Sequence, residues 1–127
     1  MLAVPAAAKL LSDAELPGID AVYAFNLPQE LIGNVAKTVA LVRDSSTMPG
    51  DYGNDDFNSV TNEVEIQLFY KKTLDFDPEK LELQLLKLFK HHDWSISDIR
   101  EHTMDPDTQQ LTFTGYFKRL KRLKGVY

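Results

Sequence analysis

Residues 59–72 carry the feature that most restricts the fold, a regular alternation of apolar and polar side chains. This pattern is typical of a β-strand with one buried face and one solvated face. The apolar positions are Val60, Val64, Ile66, Leu68 and Tyr70, and the polar positions are Thr61, Glu63, Glu65 and Gln67. The sequence therefore predicts a sheet in which this strand has one face against the core and one face in water.

The principal helix is predicted over residues 77–92. Asp77, Pro78 and Glu79 supply a capping carboxylate, a proline at the first helical position and an acid in the first turn. Apolar and aromatic positions then recur at helical spacing on one face, namely Leu81, Leu85, Leu88, Phe89 and His92, widened by Leu86. This face is expected to pack on the sheet.

The remaining elements follow from shorter patterns. Residues 5–15 favour a helix that Pro17 and Gly18 end. Strands are predicted over residues 21–26, 37–43, 94–101 and 109–120, with a single helical turn over residues 28–32. The near-continuous apolar run of residues 37–43 indicates burial on both faces, and residues 94–101 and 111–118 are predicted to pair as a hairpin. Asp105 begins a four-residue turn that contains Pro106. The length of 127 residues suits one domain, residues 1–127. The order predicts an α+β fold: a mostly antiparallel sheet of four to five strands, the principal helix on one face and an N-terminal helix.

Residues 44–58 are predicted to form a long polar loop, and loops of that length are often functional. Tyr52 and Phe57 flank its glycine-bearing centre. Two interpretations stay open: these rings anchor a partner, or they fold back and hold the loop against the domain. The candidate contact residues of this loop are Asp51, Tyr52, Asn54, Asp55 and Phe57.

The charge is divided unevenly along the chain. The net charge is −5, whereas residues 118–127 carry +5, so the first 117 residues carry −10. The acidic balance argues against a general nucleic-acid binder, because phosphate attraction depends on clustered Lys and Arg. The basic C-terminal segment, residues 118–127, is interpreted either as a flexible solvated tail or as part of an interface. Its candidate contact residues are Lys118, Arg119, Lys121 and Arg122, and Tyr127 is a weaker one.

Catalytic and metal-binding patterns are missing from the sequence. There is no cysteine, phosphate-binding loop or dinucleotide fingerprint. His91 and His92 point about 100° apart on a helix, which makes them poor co-ligands for a metal even with His102 added. Asp105 and Asp107 resemble the opening of a calcium loop, but the later positions of that motif do not fit. The expectation is a protein that is not an enzyme and has no catalytic residues, metal or cofactor.

The first eight residues are apolar but too few to span a bilayer, and no basic region precedes them. The expectation is a protein without a membrane partner that stays in the compartment where it is made.

Three stretches occur together in a recognisable order: residues 49–57 (PGDYGNDDF), residues 63–70 (EVEIQLFY), and Trp94 followed by residues 102–110 (HTMDPDTQQ). This arrangement resembles a family of siphophage and prophage proteins of unknown function (DUF806), found in phages of Gram-positive bacteria such as lactobacilli, lactococci and streptococci. The resemblance extends over roughly residues 19–117.

Members of that family typically precede the major tail protein in the head–tail gene module. The resemblance therefore implies a structural assembly protein similar to tail terminators or tail-completion proteins. It implies a homo-oligomeric ring, a hexamer when assembled, that caps the tail tube and meets the head connector. Its partners would be itself, the major tail protein, the connector protein and, transiently, phage DNA. It would be made in the host cytoplasm and reside at the head-proximal end of the virion tail.

Two alternatives remain: another head–tail connector component of the same module, or a small nucleic-acid-binding regulatory protein that uses the basic C-terminus. In the ring, the basic residues of segment 118–127 are expected to pair with acids of the adjacent subunit or of the tail tube. The loop of residues 51–57 is expected to reach across to the neighbour.

Overall fold

The principal helix lies where its capping pattern predicts. The computed structural model describes residues 1–124, and in it this helix, α2, is Pro78–Lys90. The Asp77 side chain accepts a hydrogen bond from the Glu79 backbone N–H at 3.0 Å, and Pro78 occupies the first turn. His91 closes the C-terminus. Sequence-local chemistry therefore sets the start of α2.

The other elements complete an α+β fold, as predicted. The N-terminal helix, α1, is Ala3–Ala14, and a short 3-10 helix spans Gln29–Leu31. The strands are β1 (Ala21–Ala24), β2 (Val39–Gly50), β3 (Ser59–Phe69), β4 (Ser95–Ile99), β5 (Thr103–Met104) and β6 (Leu111–Arg122). Within the described residues these strands form one six-stranded sheet. The two-residue β5 is the strand that the sequence patterns did not predict.

The strand order in the sheet is β1-β2-β3-β6-β4, and β5 also pairs with β6. All pairs are antiparallel except β1 with β2, which is parallel. The strands β4 and β6 pair as the predicted hairpin, with Ile96 opposite Phe117. β6 therefore lies between β3 and β4, although α2 and β4 separate it from β3 in sequence.

The helices and one face of the sheet enclose the core. Four of the five predicted inward positions are confirmed, since Val64, Ile66 and Leu68 of β3 and Tyr70 directly after it are fully buried, whereas Val60 is only partly buried. They share a cluster with apolar residues of both helices and of the neighbouring strands: Ala3, Val4, Ala7, Leu11, Ala40, Val42, Leu81, Leu85, Phe89, Trp94, Phe113 and Phe117. The first four residues of β2 are all buried, which confirms the prediction of a strand buried on both faces there.

Two predicted segments are corrected. Residues 44–58 are not one long loop, because β2 continues to Gly50 and pairs with β3 as far as Ser59. Only residues 51–58 connect the two strands. The basic segment is not a solvated tail over residues 118–122, because these residues are the end of β6. The last part of the segment, residues 125–127 with Tyr127, lies outside the described residues.

Two smaller corrections concern α1 and β1. α1 begins at Ala3, so Pro5 is the third helical residue, within the first turn where a missing N–H is tolerated. β1 ends at Ala24, because Phe25 adopts a positive φ of 72°.

Candidate interaction surface

At one end of the sheet, β2, β3 and β6 extend past the edge strands β1 and β4. β1 pairs only with the first four residues of β2, and β4 pairs with β6 no further than Lys118. From these limits onward lie the β2–β3 hairpin, residues 44–63, and the end of β6, residues 118–122. We call this three-stranded extension the β-arm. Residues 43–49 of β2 are all solvent-exposed.

The end of the β-arm is an ordered turn. Gly53 and Asp56 exchange backbone hydrogen bonds of 2.7 and 3.0 Å. The two residues between them, Asn54 and Asp55, have φ of 53° and 61°, the positive values that a type I′ hairpin turn requires. Asn58 closes the base of the turn, since its side chain donates to the Asp51 carbonyl at 2.8 Å. We call residues 51–58 the arm tip.

The two aromatic rings of the arm tip have different surroundings. Tyr52 is 69% exposed, and its ring meets that of Phe57 edge-on at 6.4 Å. Phe57 turns back toward the body, where it lines a cavity of about 560 Å³ together with Met1, Leu2 and Val60. The sequence left both interpretations open for this pair; Phe57 packs back against the arm, and Tyr52 presents its ring to solvent.

Most of the basic residues in the β-arm contact groups of the same chain. The Lys118 ammonium lies 3.7 Å from Glu63, and the Arg122 guanidinium lies 3.5 Å from Asp51. Arg119 donates to the Met1 carbonyl at 2.8 Å and covers the ring of Trp94 at 5.4 Å. Burial lowers the pKa of Arg119.

Lys121 differs from these three. It is exposed, and no acidic partner lies within ion-pair distance of it among residues 1–124. Of the four candidate basic residues, Lys118, Arg119 and Arg122 therefore already contact groups of the same chain.

A carboxylate at the base of the β-arm, Glu63 of β3, contacts side chains of three other strands on the face of the sheet that the helices leave open. Glu63 accepts hydrogen bonds from the hydroxyls of Ser45 at 2.6 Å and Ser97 at 2.7 Å. These hydrogen bonds, followed by the charge of Lys118, lower the pKa of Glu63. Its side chain is only 15% exposed. We call Glu63, Ser45, Ser97 and Lys118 the Glu63 clamp.

Backbone irregularities bring the two serines to Glu63. The pairing of β2 with β3 shifts register between Asp44 and Ser46, so Ser45 is an extra residue. The pairing of β4 with β6 shifts in the same way between Ile96 and Asp98, which makes Ser97 an extra residue. Such bulges bend a strand and redirect a side chain. Both bulges lie where the β-arm leaves the body.

The sequence patterns missed this clamp. They predicted Glu63 as one of several solvated carboxylates on an outer face and Ser45 as a loop residue. Neither serine lies near Glu63 in sequence, and bulge positions have no strong local pattern. Next to the clamp, Tyr116 donates to Glu65 at 2.8 Å, and Arg100 lies over the Tyr116 ring at 5.5 Å. The cavity here measures about 390 Å³ and is lined mostly by polar groups.

A second polar network lies at the other end of β3. The Tyr70 hydroxyl donates to Glu82 at 2.5 Å, and His102 contacts both oxygens of the same carboxylate at 2.8 Å. The side-chain amide of Gln110 donates to the Tyr70 carbonyl at 3.1 Å. Burial, together with the hydrogen bond to Glu82, raises the pKa of Tyr70 well above its ordinary value. The network ties α2 to β3 and to the connection between β4 and β5.

The described residues contain no group of three or more His, Asp or Glu side chains that could hold a metal ion. The other two histidines lie at the C-terminal end of α2, where His92 Nδ1 contacts the Leu88 carbonyl at 2.8 Å. Asp105 and Asp107 form the predicted turn, in which the Asp105 carboxylate accepts from the Asp107 N–H at 2.8 Å. Over residues 1–124, the helices are too short or too polar to cross a bilayer.

Comparison with protein families gives a match over nearly the whole chain. Residues 2–121 match the profile of a family described as protein of unknown function (DUF806). No curated protein sequence matches the chain significantly.

Proposed function

This chain belongs to the DUF806 family, and we propose that it is a structural subunit of a bacteriophage tail, a tail terminator or tail-completion protein. In this proposal, copies of the protein form a ring, a hexamer when assembled, on the head-proximal end of the tail tube. The ring meets the major tail protein on one side and the head connector on the other. The single observation that carries the proposal is the β-arm.

The β-arm exposes apolar side chains on both of its faces. Met48 and Leu120, opposite Thr61 on the open face, are 66% and 53% exposed. Met1, Leu2 and Phe57 form an apolar cavity on the other side. A clustered apolar surface on a soluble domain commonly marks a contact with another protein.

The shape of the subunit suits a ring. A closed ring of identical subunits needs two different surfaces on each copy, one at either side of the contact. The β-arm supplies one such surface at one end of the sheet, and the rest of the domain supplies the other.

The contacts of the basic residues favour this proposal over nucleic-acid binding. Because Lys118 and Arg122 lie close to Glu63 and Asp51, the positive field that would attract phosphates is reduced.

The proposal is tested with self-assembling tubes of a major tail protein from the phage that the proposal implies. We expect tubes incubated with the protein to stop growing and to carry a cap at one end in negative-stain images. Met48→Asp in the β-arm should prevent capping, whereas Ile32→Asp should not. Both residues are exposed, 66% and 71%, and Ile32 lies outside the β-arm, next to the 3-10 helix.

Tubes that remain unaltered and carry no bound protein would overturn the tail-terminator assignment. Binding should then be measured to the isolated head connector and, after that, to duplex DNA at low salt. Binding to the connector alone would favour a different head–tail joining component. DNA binding that is lost on truncation after Phe117 would favour the regulatory alternative.

A further inference from the structure

The β-arm carries a cavity of about 560 Å³ on the face of the sheet that also packs against the helices. We call it the arm cavity. Val60 of β3 pairs with Lys121 of β6, and Asn62 pairs with Arg119, so these four side chains point to the same face. The rest of the lining is apolar and comes from the start of α1, the arm tip and the chain after β6: Met1, Leu2, Ala3, Phe57 and Leu123.

The lining of the arm cavity is positively charged and includes no carboxylate. Its two charged side chains are those of Arg119 and Lys121. Over residues 1–124, neither of them lies within ion-pair distance of an acid. Of the acids adjacent in sequence to the lining, Glu63 points to the opposite face of β3, and Asp56 accepts a hydrogen bond from the Phe57 N–H at 2.9 Å. The cavity therefore offers two cations to an incoming anion.

Arg119 is held in place by neutral groups. Its guanidinium donates to the Met1 carbonyl at 2.8 Å and to the Asn62 side-chain oxygen at 3.4 Å, and it lies over the Trp94 ring at 5.4 Å. These contacts fix the position of the group but leave its charge without a counter-ion, although the side chain is partly buried. A guanidinium has five N–H donors in a planar fork that fits a carboxylate. Two of them are used in these hydrogen bonds, so others remain for a carboxylate from outside.

The exposed apolar rim of the arm cavity favours a protein segment over a small molecule. Met1 and Leu2 are 74% and 73% exposed, and Phe57 on the opposite side is 38% exposed. A small carboxylic acid in the cavity would leave most of this rim in water. A chain segment that crosses the cavity covers the rim as well, and burial of apolar area is the main favourable term in protein association.

We propose that the arm cavity binds an acidic, apolar segment of the tail protein that the ring caps. A carboxylate of the segment takes the fork of Arg119 and approaches Lys121, and a neighbouring apolar side chain enters between Leu2, Phe57 and Val60. Charge-assisted hydrogen bonds are roughly twice as strong as neutral ones, and apolar anchors in pockets commonly dominate interface energies. The identity of the partner rests on the proposed function, whereas the chemistry of the segment rests on the cavity.

Two blocked hexapeptides test the chemistry of the site. In the acidic peptide, leucine and phenylalanine lie between two glutamates, and in its control both glutamates are replaced by glutamine. Each is titrated into the isotope-labelled full chain and followed by NMR. We expect the acidic peptide to shift the methyl signals of Leu2, Val60 and Leu123 and the Nε–H signal of Arg119, and the control to bind about tenfold more weakly. Equal binding of the two peptides, or no shift at these residues, would overturn the proposal.

Charge variants locate the binding energy. Lys121→Glu changes an exposed residue and should weaken binding of the acidic peptide by about tenfold, because like charges then face each other. Arg119→Gln should abolish binding but also removes the contacts with Met1 and Trp94, so Lys121→Glu is the variant that decides. Lys37→Glu, at an exposed lysine before β2, is the matched control and should bind as the wild type does. An equal loss in Lys121→Glu and Lys37→Glu would show general charge attraction and would overturn the site.

Three results would assign the arm cavity to another occupant and would also overturn the proposal. Peptide binding that appears only in a chain ending at Lys124 would show that residues 125–127 fill the cavity. Hexanoate binding as tightly as the acidic peptide would indicate a small-molecule site. Concentration-dependent dimers that are lost in Lys121→Glu, measured by sedimentation, would show that a second copy is the occupant.

Tail tubes separate this contact from the proposed function. Lys121→Glu should leave the tubes uncapped in negative-stain images, whereas Lys37→Glu should cap them. Capping that survives in Lys121→Glu would overturn the contact and leave the tail-terminator assignment intact. Specific binding of the acidic peptide by a wild-type protein that leaves tubes uncapped would support the chemistry of the cavity and contradict that assignment.

Discussion

Removal of the Tyr70 hydroxyl should destabilise the fold through the buried network of Tyr70, Glu82 and His102. Tyr70 is fully buried, and Glu82 is only 8% exposed to solvent. Tyr70→Phe leaves the Glu82 carboxylate with the His102 contact alone. A hydrogen bond to a charged group contributes about 1.5–3 kcal/mol, and this one is shielded from water that could replace it. For a domain of this size we expect the Tm to fall by roughly 5–12 °C.

Tyr116→Phe is the matched control. Tyr116 also donates to a glutamate, Glu65, at 2.8 Å, but on the open face, where both residues are partly exposed. Water can replace that donor, so we expect a loss of less than about 1 kcal/mol. Urea and thermal unfolding are followed by the fluorescence of Trp94, which packs against Phe89 in the core at 5.6 Å between ring centroids. An equal loss in the two variants, or none in Tyr70→Phe, would refute the role assigned to burial.

The stability difference between the wild type and Tyr70→Phe should change with pH in one direction. The pKa of Tyr70 is raised in the folded protein, chiefly by burial and then by the hydrogen bond to Glu82. Its stabilising contribution is therefore complete below about pH 10, where tyrosines of the unfolded chain ionise, and falls above that value. The stability advantage of the wild type over Tyr70→Phe should be constant from neutral pH to about pH 10 and should decrease in more alkaline solution. An advantage that increases above pH 10 would contradict the raised pKa.

Three further variants test other parts of the structure. Glu63→Gln should lower the free energy of unfolding by about 1 kcal/mol at neutral pH. Because the hydrogen bonds of Ser45 and Ser97 lower the pKa of Glu63, this difference from the wild type, measured by denaturant titration, should shrink as the pH falls below about 4.5. Gly115→Val should cost about 1–3 kcal/mol by overpacking, because even a Cβ there would lie 3.1 Å from the Phe113 ring; unchanged thermal stability would contradict this. Asp77→Ala should lower helix stability by about 1 kcal/mol through loss of the N-cap, whereas Asp77→Asn should retain most of it in the same measurement.

Patterns that are local in sequence predicted much of the fold. The alternation in β3 predicted which residues face the core, because neighbouring side chains of a strand point to opposite faces. The Asp77-Pro78-Glu79 sequence predicted the start of α2, because a cap needs only adjacent residues. The hairpin of β4 and β6 followed from two apolar runs on either side of the turn at Asp105.

The extension of β2 to Gly50 had no such pattern. Its second half is polar, contains Pro49 and is exposed on both faces, so apolar periodicity is missing there. It is a strand because it pairs with β3, and pairing is a tertiary property that overrides weak local preference. The end of β6 was predicted only in part for a related reason. The predicted strand reached residue 120, and the charge of the basic segment left a solvated tail and an interface both open; register with β3 extends the strand to Arg122.

The candidate site was predictable in part. The sequence predicted residues 51–57 as contact candidates in a long polar loop, and Tyr52 is exposed there, but the ordered turn of residues 53–56 was not predicted. The Glu63 clamp and the Tyr70–Glu82–His102 network join groups that lie 12 to 55 residues apart. Such contacts depend on sheet order and on bulge positions, which one sequence does not specify.

The position of the Glu63 clamp has a consequence for the proposed assembly. The part of the β-arm formed by β2 is exposed on both faces, so backbone pairing and the contacts at its base must set its direction. The clamp lies at that base and joins β2, β3, β4 and β6 through one carboxylate, with a bulge in each of the two strands that supply hydroxyls. The angle of the β-arm is therefore a property of the subunit before it meets a neighbour. A preorganised arm loses less conformational freedom on binding, so loosening it with Glu63→Gln should weaken the assembly, and fewer tail tubes should carry a cap in negative-stain images than with the wild-type protein.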